Sequence, residues 1–251
     1  MIEQKKLVLE DIVINFLFSK NSGYPLVFLH GWRSQGAAWF KIMEQAEKRG
    51  FRPFALDLPG FGSSENPPEN FDLEKYAVLI KDFIKKENLK KVCLIGHSFG
   101  GRITLKFSSL FPEFIDKLVL VGSAGLPPKN KKTFLKIMAK IFKPFFKLPF
   151  LKSFRPKIYK LLGSDDYLAT PALKNVFLNV IKENLEPLLP KIKAETLLVW
   201  GEEDKTTPLY MAETFRRKIK NSRLEIIKDA GHFNFLDQPE EFSKILFNFV
   251  K

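Results

Sequence analysis

The sequence predicts an α/β fold: a mostly parallel, eight-stranded sheet flanked by helices and interrupted once by an inserted helical lid. Three observations point there. Short apolar runs alternate with segments of helical period over residues 1–125 and again over 195–251, the pattern of a parallel sheet covered on both faces. The alternation breaks at Leu126-Pro127-Pro128 and resumes at Thr196-Leu197-Leu198-Val199-Trp200, with helices and prolines between them. Finally, His30, Asp57 and Ser98 each follow such an apolar run, and in parallel sheets the sites form beyond the carboxyl ends of the strands.

Taken in order, residues 7–9 and 13–17 read as two strands meeting at Glu10-Asp11. Leu26-Val27-Phe28-Leu29 is a short buried strand ending at His30-Gly31-Trp32. A helical stretch runs from about residue 37 to 49, closed by Gly50 as a C-terminal cap. Phe54-Ala55-Leu56 is the next strand and enters the glycine-rich loop Asp57-Leu58-Pro59-Gly60-Phe61-Gly62-Ser63-Ser64. Over residues 73–88 apolar side chains recur at Leu73, Tyr76, Ala77, Ile80, Phe83 and Ile84, a helical period. Val92-Cys93-Leu94-Ile95 is too short for a helix and reads as a buried strand; a helix to about residue 110 and a strand over 118–121 follow it. Beyond the lid come the strand at 196–200, a helix over about 208–219, a strand at 224–227 and a last helix over 239–250. The core is thus 1–125 plus 195–251, with 126–194 as the lid.

Composition narrows the function. With 251 residues and 45% hydrophobic content the chain can bury one large core. The first residues lack the apolar stretch of a signal peptide, and no apolar run approaches the roughly 18 residues of a membrane span. A cytoplasmic location is the resulting expectation. The lone cysteine, Cys93, falls within a strand and reads as a small buried hydrophobe. Three separated histidines and one cysteine give no metal-ligand spacing, so neither a metal nor a cofactor is expected.

The chemistry centres on Gly96-His97-Ser98-Phe99-Gly100-Gly101. A strand, a sharp turn and a helix start would lift the Ser98 hydroxyl above the sheet, with the helix's first N–H groups aimed at the same spot. Glycines flank the serine because a β-carbon at Gly96 or Gly100 would clash in so tight a bend. Gly-x-Ser-x-Gly alone is weak evidence, since roughly one random chain in ten of this length contains it. Its setting and its partners make it stronger. A serine hydroxyl needs a general base, usually a histidine held by a carboxylate. His97 adjoins Ser98 but should point away from it, and His30 reads as a structural hydrogen-bonding residue, which leaves His232 in Asp229-Ala230-Gly231-His232-Phe233, after the last strand. For the carboxylate, Gly201-Glu202-Glu203-Asp204 follows the strand ending near Trp200 and offers Asp204, with Glu202 and Glu203 as rivals; a helix N-cap before Pro208 is the structural reading of all three. The chain order Ser98, Asp204, His232 suits a nucleophile-elbow hydrolase.

Together, His30-Gly31-Trp32, Asp57 to Ser64, the Ser98 elbow, Gly201 to Asp204 and Gly231-His232 make the whole chain resemble a lid-bearing α/β-hydrolase of the small carboxylesterase and C–C-bond hydrolase type. The resemblance implies acyl transfer through a Ser98–His232–Asp204 triad. It also implies an oxyanion hole from the backbone N–H groups of Trp32 and Phe99, and a structural role for Asp57. The expected function is hydrolysis of carboxylic esters of small to medium acyl chains through an acyl-enzyme. A lactonase, a C–C-bond hydrolase of vinylogous diketones, or an esterase for carrier-bound acyl groups uses the same residues. The C–C hydrolases often carry a longer Gly- and Pro-containing loop after His-Gly, which Trp32-Arg33-Ser34-Gln35 does not resemble. A non-catalytic binding protein on this fold is the reading from another class, and the complete residue set argues against it.

The formal charge is +13, and residues 126–194 hold 15 Lys/Arg against 4 Asp/Glu, a net of +11. Within them Phe134, Met138, Ile141 and Phe145 alternate at helical spacing with Lys136, Lys140, Lys143 and Lys147, and Pro144 should kink the helix. The plain reading is a lid whose apolar face roofs the acyl pocket while its lysines are solvated. The sharper one is contact with an anionic membrane or an acidic acyl carrier. Nucleic-acid binding is not expected, because no nucleic-acid motif accompanies the charge.

Overall fold

The structure is a computed structural model and describes residues 1–127 and 171–251. Eight strands form one sheet in the order β1-β2-β4-β3-β5-β6-β7-β8. They are β1 (Ile2–Leu9), β2 (Ile12–Ser19), β3 (Pro25–Leu29), β4 (Arg52–Leu56), β5 (Val92–His97), β6 (Ile115–Val121), β7 (Glu195–Gly201) and β8 (Ser222–Ile227). β2 pairs antiparallel with β1 and β4, and all other pairs are parallel. The β1–β2 hairpin turns on Glu10 (φ 48°) and Asp11 (φ 59°), a two-residue loop whose left-handed backbone matches the strands' twist.

Two apolar layers follow from the period-2 alternation of the strands. Val27, Leu29 and Leu94 face the layer built with α2 (Leu73–Lys86), α3 (Phe99–Leu110) and α5 (Leu209–Lys218). Leu26, Phe28, Cys93 and Ile95 face the other, built with α1 (Phe40–Lys48) and α7 (Pro239–Val250). Because the inner strands are buried on both faces, they carry continuous apolar runs. α2 starts where the Asp72 carboxylate accepts the Lys75 N–H (3.0 Å) and ends on Lys85 and Lys86, charges that suit its dipole.

Several boundaries differ from the sequence reading. The stretch read as one helix over 37–49 is a 3-10 turn, Gly36–Trp39, followed by α1. β6 begins at Ile115 instead of residue 118, because Asp116 and Lys117 point outward while the backbone already pairs with β5. A short helix, α6 (Asn234–Asp237), follows His232 unannounced. The lid expectation over 126–194 lies largely outside the described residues, including both the Phe134 and the Lys136 stripes. Residues 171–194 are described: a 3-10 turn at Pro171–Leu173, α4 (Lys174–Ile181) and a second 3-10 stretch at Glu186–Lys191. Leu173, Val176, Val180, Leu185 and Leu189 pack on the α2–α3 layer. Among the described residues no helix is long and apolar enough to cross a membrane.

Phe16 of β2 is fully buried and meets Phe83 edge-on at 5.1 Å between ring centroids. Phe16→Ala should destabilise the fold by about 3–5 kcal/mol and lower the melting temperature by roughly 10 °C. Urea and thermal unfolding check this, and a loss below about 1 kcal/mol would refute the packing.

Candidate active site

The carboxyl ends of β3, β4, β5, β7 and β8 bring five loops to one sheet edge. Ser98 joins β5 to α3 with φ 52° and ψ −106°. Such a conformation costs a non-glycine residue about 1–3 kcal/mol and persists only where the surroundings impose it. Here they do. Ser98 N–H donates to Val121 O (3.0 Å), Gly100 N–H to His30 O (3.0 Å) and Ala124 N–H to Ser98 O (3.2 Å). A β-carbon on Gly96 would lie 2.5 Å from Gly100 O, and one on Gly100 2.4 Å from Leu29 O. The turn therefore admits no side chain at either place.

Ser98 Oγ lies 3.0 Å from His232 Nε2, and His232 Nδ1 lies 2.9 Å from Asp204 Oδ2. With Asp204 ionised, the ring proton sits on Nδ1 and donates to the carboxylate, leaving Nε2 free to accept the serine proton. Glu202 and Glu203 are exposed, whereas Asp204 is buried. Asp204 also accepts the N–H groups of Thr206 and Thr207 at Oδ1 (both 2.8 Å) and the Thr207 hydroxyl at Oδ2 (2.7 Å). Burial alone would raise its pKa, but the hydrogen bonds from His232 and Thr207 and the charge of His232 outweigh that and hold it below the usual carboxylate value. The helix-cap reading of this acid does not apply, since α5 starts from Pro208 with no side-chain cap. Thr207 is the residue the sequence reading missed. Its signal was the Asp-x-x-Thr spacing, which lets one carboxylate bind its own loop.

The other anticipated residues also have defined places. His30 is fully buried; its Nε2 accepts the Leu58 N–H (2.9 Å) and its Nδ1–H donates to Gly31 O (2.7 Å). Asp57 accepts from Gly36 N–H (2.6 Å), Ser63 N–H (2.8 Å) and Asn15 Nδ2 (2.8 Å), tying its own loop to β2 and to the 3-10 turn. Phe99 is the first residue of α3, a position whose N–H has no intrahelical acceptor. The Gly31–Trp32 peptide runs beside the serine, because a β-carbon on Gly31 would lie 3.4 Å from Ser98 Cβ. Above it the Trp32 ring contacts Phe61 (4.9 Å), Phe99 (5.1 Å) and Phe177 of α4 (5.0 Å). The surroundings of Ser98 on this side are apolar. Among the described residues no three His, Cys, Asp or Glu side chains group as a metal site would need.

This geometry can transfer a proton from a hydroxyl to an imidazole beside unused backbone donors, as acyl transfer requires. Comparison with known proteins agrees with the architecture. Residues 26–245 match the model of the alpha/beta hydrolase family, and the chain belongs to that family. It is 28% identical to the AB hydrolase superfamily protein YisY of Bacillus subtilis, with 96% of each chain covered. It is also 28% identical to a 2-hydroxy-6-oxononadienedioate/2-hydroxy-6-oxononatrienedioate hydrolase of Escherichia coli, over 90% of this chain and 86% of that one. Among solved structures, the esterase EaEST of Exiguobacterium antarcticum superimposes with a TM-score of 0.74 at 26% identity, covering 95% of this chain and 96% of its own.

Two buried histidines set a pH dependence of stability. Burial pushes His30 from 6.5 down to about 4, and burial together with the neighbouring His232 pushes His97 to about 3. The unfolded chain binds these two protons near 6.5 while the folded chain does not, so stability is full above that pH and falls as pH drops toward 4. The slope should approach about 2.7 kcal/mol per pH unit for two protons. Urea unfolding from neutral pH downward tests it, and a flat profile between pH 6.5 and 4.5 would contradict the burial of both rings as neutral groups.

Proposed function

We propose that this member of the alpha/beta hydrolase family is a serine hydrolase that cleaves carboxylic esters of small to medium acyl chains through an acyl-enzyme. The observation that carries the reading is the continuous relay from Ser98 Oγ to His232 (3.0 Å) to Asp204 (2.9 Å), beginning at a partly exposed serine. In this mechanism Ser98 Oγ attacks the ester carbonyl as His232 Nε2 takes its proton. The charge that develops on the carbonyl oxygen is received by the N–H groups of Trp32 and Phe99, a contribution of about 3–4 kcal/mol per donor in other hydrolases. Collapse expels the alcohol, protonated by His232, and leaves the acyl group on Ser98. A water molecule, deprotonated by His232, then releases the acid and restores the serine. Asp204 holds the imidazole in its Nδ1–H tautomer throughout and stabilises the imidazolium.

The rings of Trp32, Phe61, Phe99 and Phe177 beside the serine support an apolar acyl group. A second reading, C–C-bond hydrolysis of a dienedioate, draws on the name of the Escherichia coli relative. The described rings beside Ser98 suit an apolar acyl group and favour the ester.

Hydrolysis of p-nitrophenyl esters from acetyl to palmitoyl tests the proposal. A short-to-medium optimum is expected, with Ser98→Ala losing roughly 10⁴- to 10⁶-fold in kcat and Asp204→Asn about 10⁴-fold. Undiminished turnover in Ser98→Ala, or folded wild-type protein with no turnover at any chain length, would overturn it.

A further inference from the structure

We propose that His97 is a positioning residue for the reaction proposed above: its neutral ring ties the backbone of His232 to the loop that carries Trp32. The sequence reading had assigned it nothing beyond pointing away from Ser98. The geometry gives it more. His97 Nε2 lies 2.9 Å from the carbonyl oxygen of His232, and the two rings are 4.7 Å apart. A carbonyl only accepts, so the Nε2–H donates, and Nδ1 carries a bare lone pair. That nitrogen is buried and has no hydrogen-bond partner.

The orphan nitrogen is informative. A buried unpaired polar atom costs about 1–3 kcal/mol, and the ring is surrounded by Trp39, Phe233 and Phe235 at 6.5, 4.9 and 5.1 Å. If the position only needed filling, phenylalanine would fill it without the orphan. A ring that keeps the cost is held for its one donated bond. The same ring supports the opposite side of the site, because a β-carbon on Gly31 would lie 2.8 Å from His97 Nδ1 and 3.1 Å from Cε1. Gly31 therefore rests directly on the imidazole, and the Trp32 N–H that follows takes its height from it. One side chain thus touches the backbone of the base and the backbone before an oxyanion donor, while its own residue adjoins the nucleophile.

Charge favours the assignment. The ionisable groups that face His97 are His232, Asp204 and His30. Burial and His232 together keep His97 uncharged over the whole working range, against the weaker opposite pull of Asp204. No second cation therefore appears beside His232 when it becomes imidazolium.

The test compares His97→Gln, which can place an N–H donor near the original Nε2, with His97→Met and His97→Phe, which cannot. Unfolding curves first establish which variants are folded, and whichever apolar variant folds is used. The apolar variant should lose roughly 10- to 100-fold in kcat with KM changed less than about twofold, while His97→Gln recovers most of the loss. In parallel, the downfield proton resonance of His232 Nδ1–H should stay sharp in wild type and His97→Gln and broaden in the apolar variant. Equal impairment of the glutamine and apolar variants, or a folded apolar variant with unchanged kcat and a sharp resonance, would overturn the assignment. If the wild type hydrolyses no ester, the ester reading fails by itself, and the resonance comparison still decides the role of His97.

Discussion

The backbone of Ser98, held at φ 52° and ψ −106°, is the constraint on which the rest of the site depends. A strain of about 1–3 kcal/mol is a sizeable share of a net stability of 5–15 kcal/mol. It is distributed over bonds to three neighbouring segments: Val121 of β6, His30 after β3, and Ala124 in the loop after β6. Relaxing the turn would detach all of them. The parallel order of β3, β5 and β6 is therefore part of what holds the turn, since adjacent strand ends clamp it from both sides.

Around that turn the molecule spends its polar groups in a consistent way. Each buried carboxylate at this edge is fully engaged: Asp57 by Gly36, Ser63 and Asn15, Asp204 by Thr206, Thr207 and His232. Each buried histidine behind the site is kept neutral by burial. The rings of Trp32, Phe61 and Phe99 make one side of the Ser98 surroundings apolar. The arrangement leaves His232, which is only partly buried, as the histidine with access to both the serine and solvent.

Much of this was legible in the chain. Apolar runs located the inner strands because those strands are buried on both faces, and the motif order located the residues that meet at the sheet edge. What escaped was pairing over long sequence distances. Arg102, one turn into α3, received no role from the sequence. It is buried, and its guanidinium donates to Val180 O (2.7 Å), 78 residues on, and to Glu183 O. Asn15 is likewise buried, its partner Asp57 lying 42 residues on. Edge strands were also under-read: β1 pairs with β2 from Ile2 on, but its Gln4, Lys5 and Lys6 are exposed, and apolar content does not register such pairing. Thr207 belongs to a third class, a local side-chain bond that periodicity does not register.

The connection between β6 and β7 has a further consequence. β6 and β7 are hydrogen-bonded neighbours in register from Lys117–Glu195 to Val121–Val199, so the sheet closes whatever the chain does between them. For a flexible connection the entropic cost of closure grows only with the logarithm of its length, about 0.6 kcal/mol per doubling. Arg102 and Lys106 fasten the returning end at Val180 and Glu183 to the helix that starts at the serine. The junction is thus a natural graft point. A stretch transplanted from a relative, with the residues that meet Arg102 and Lys106, would leave the strand register untouched.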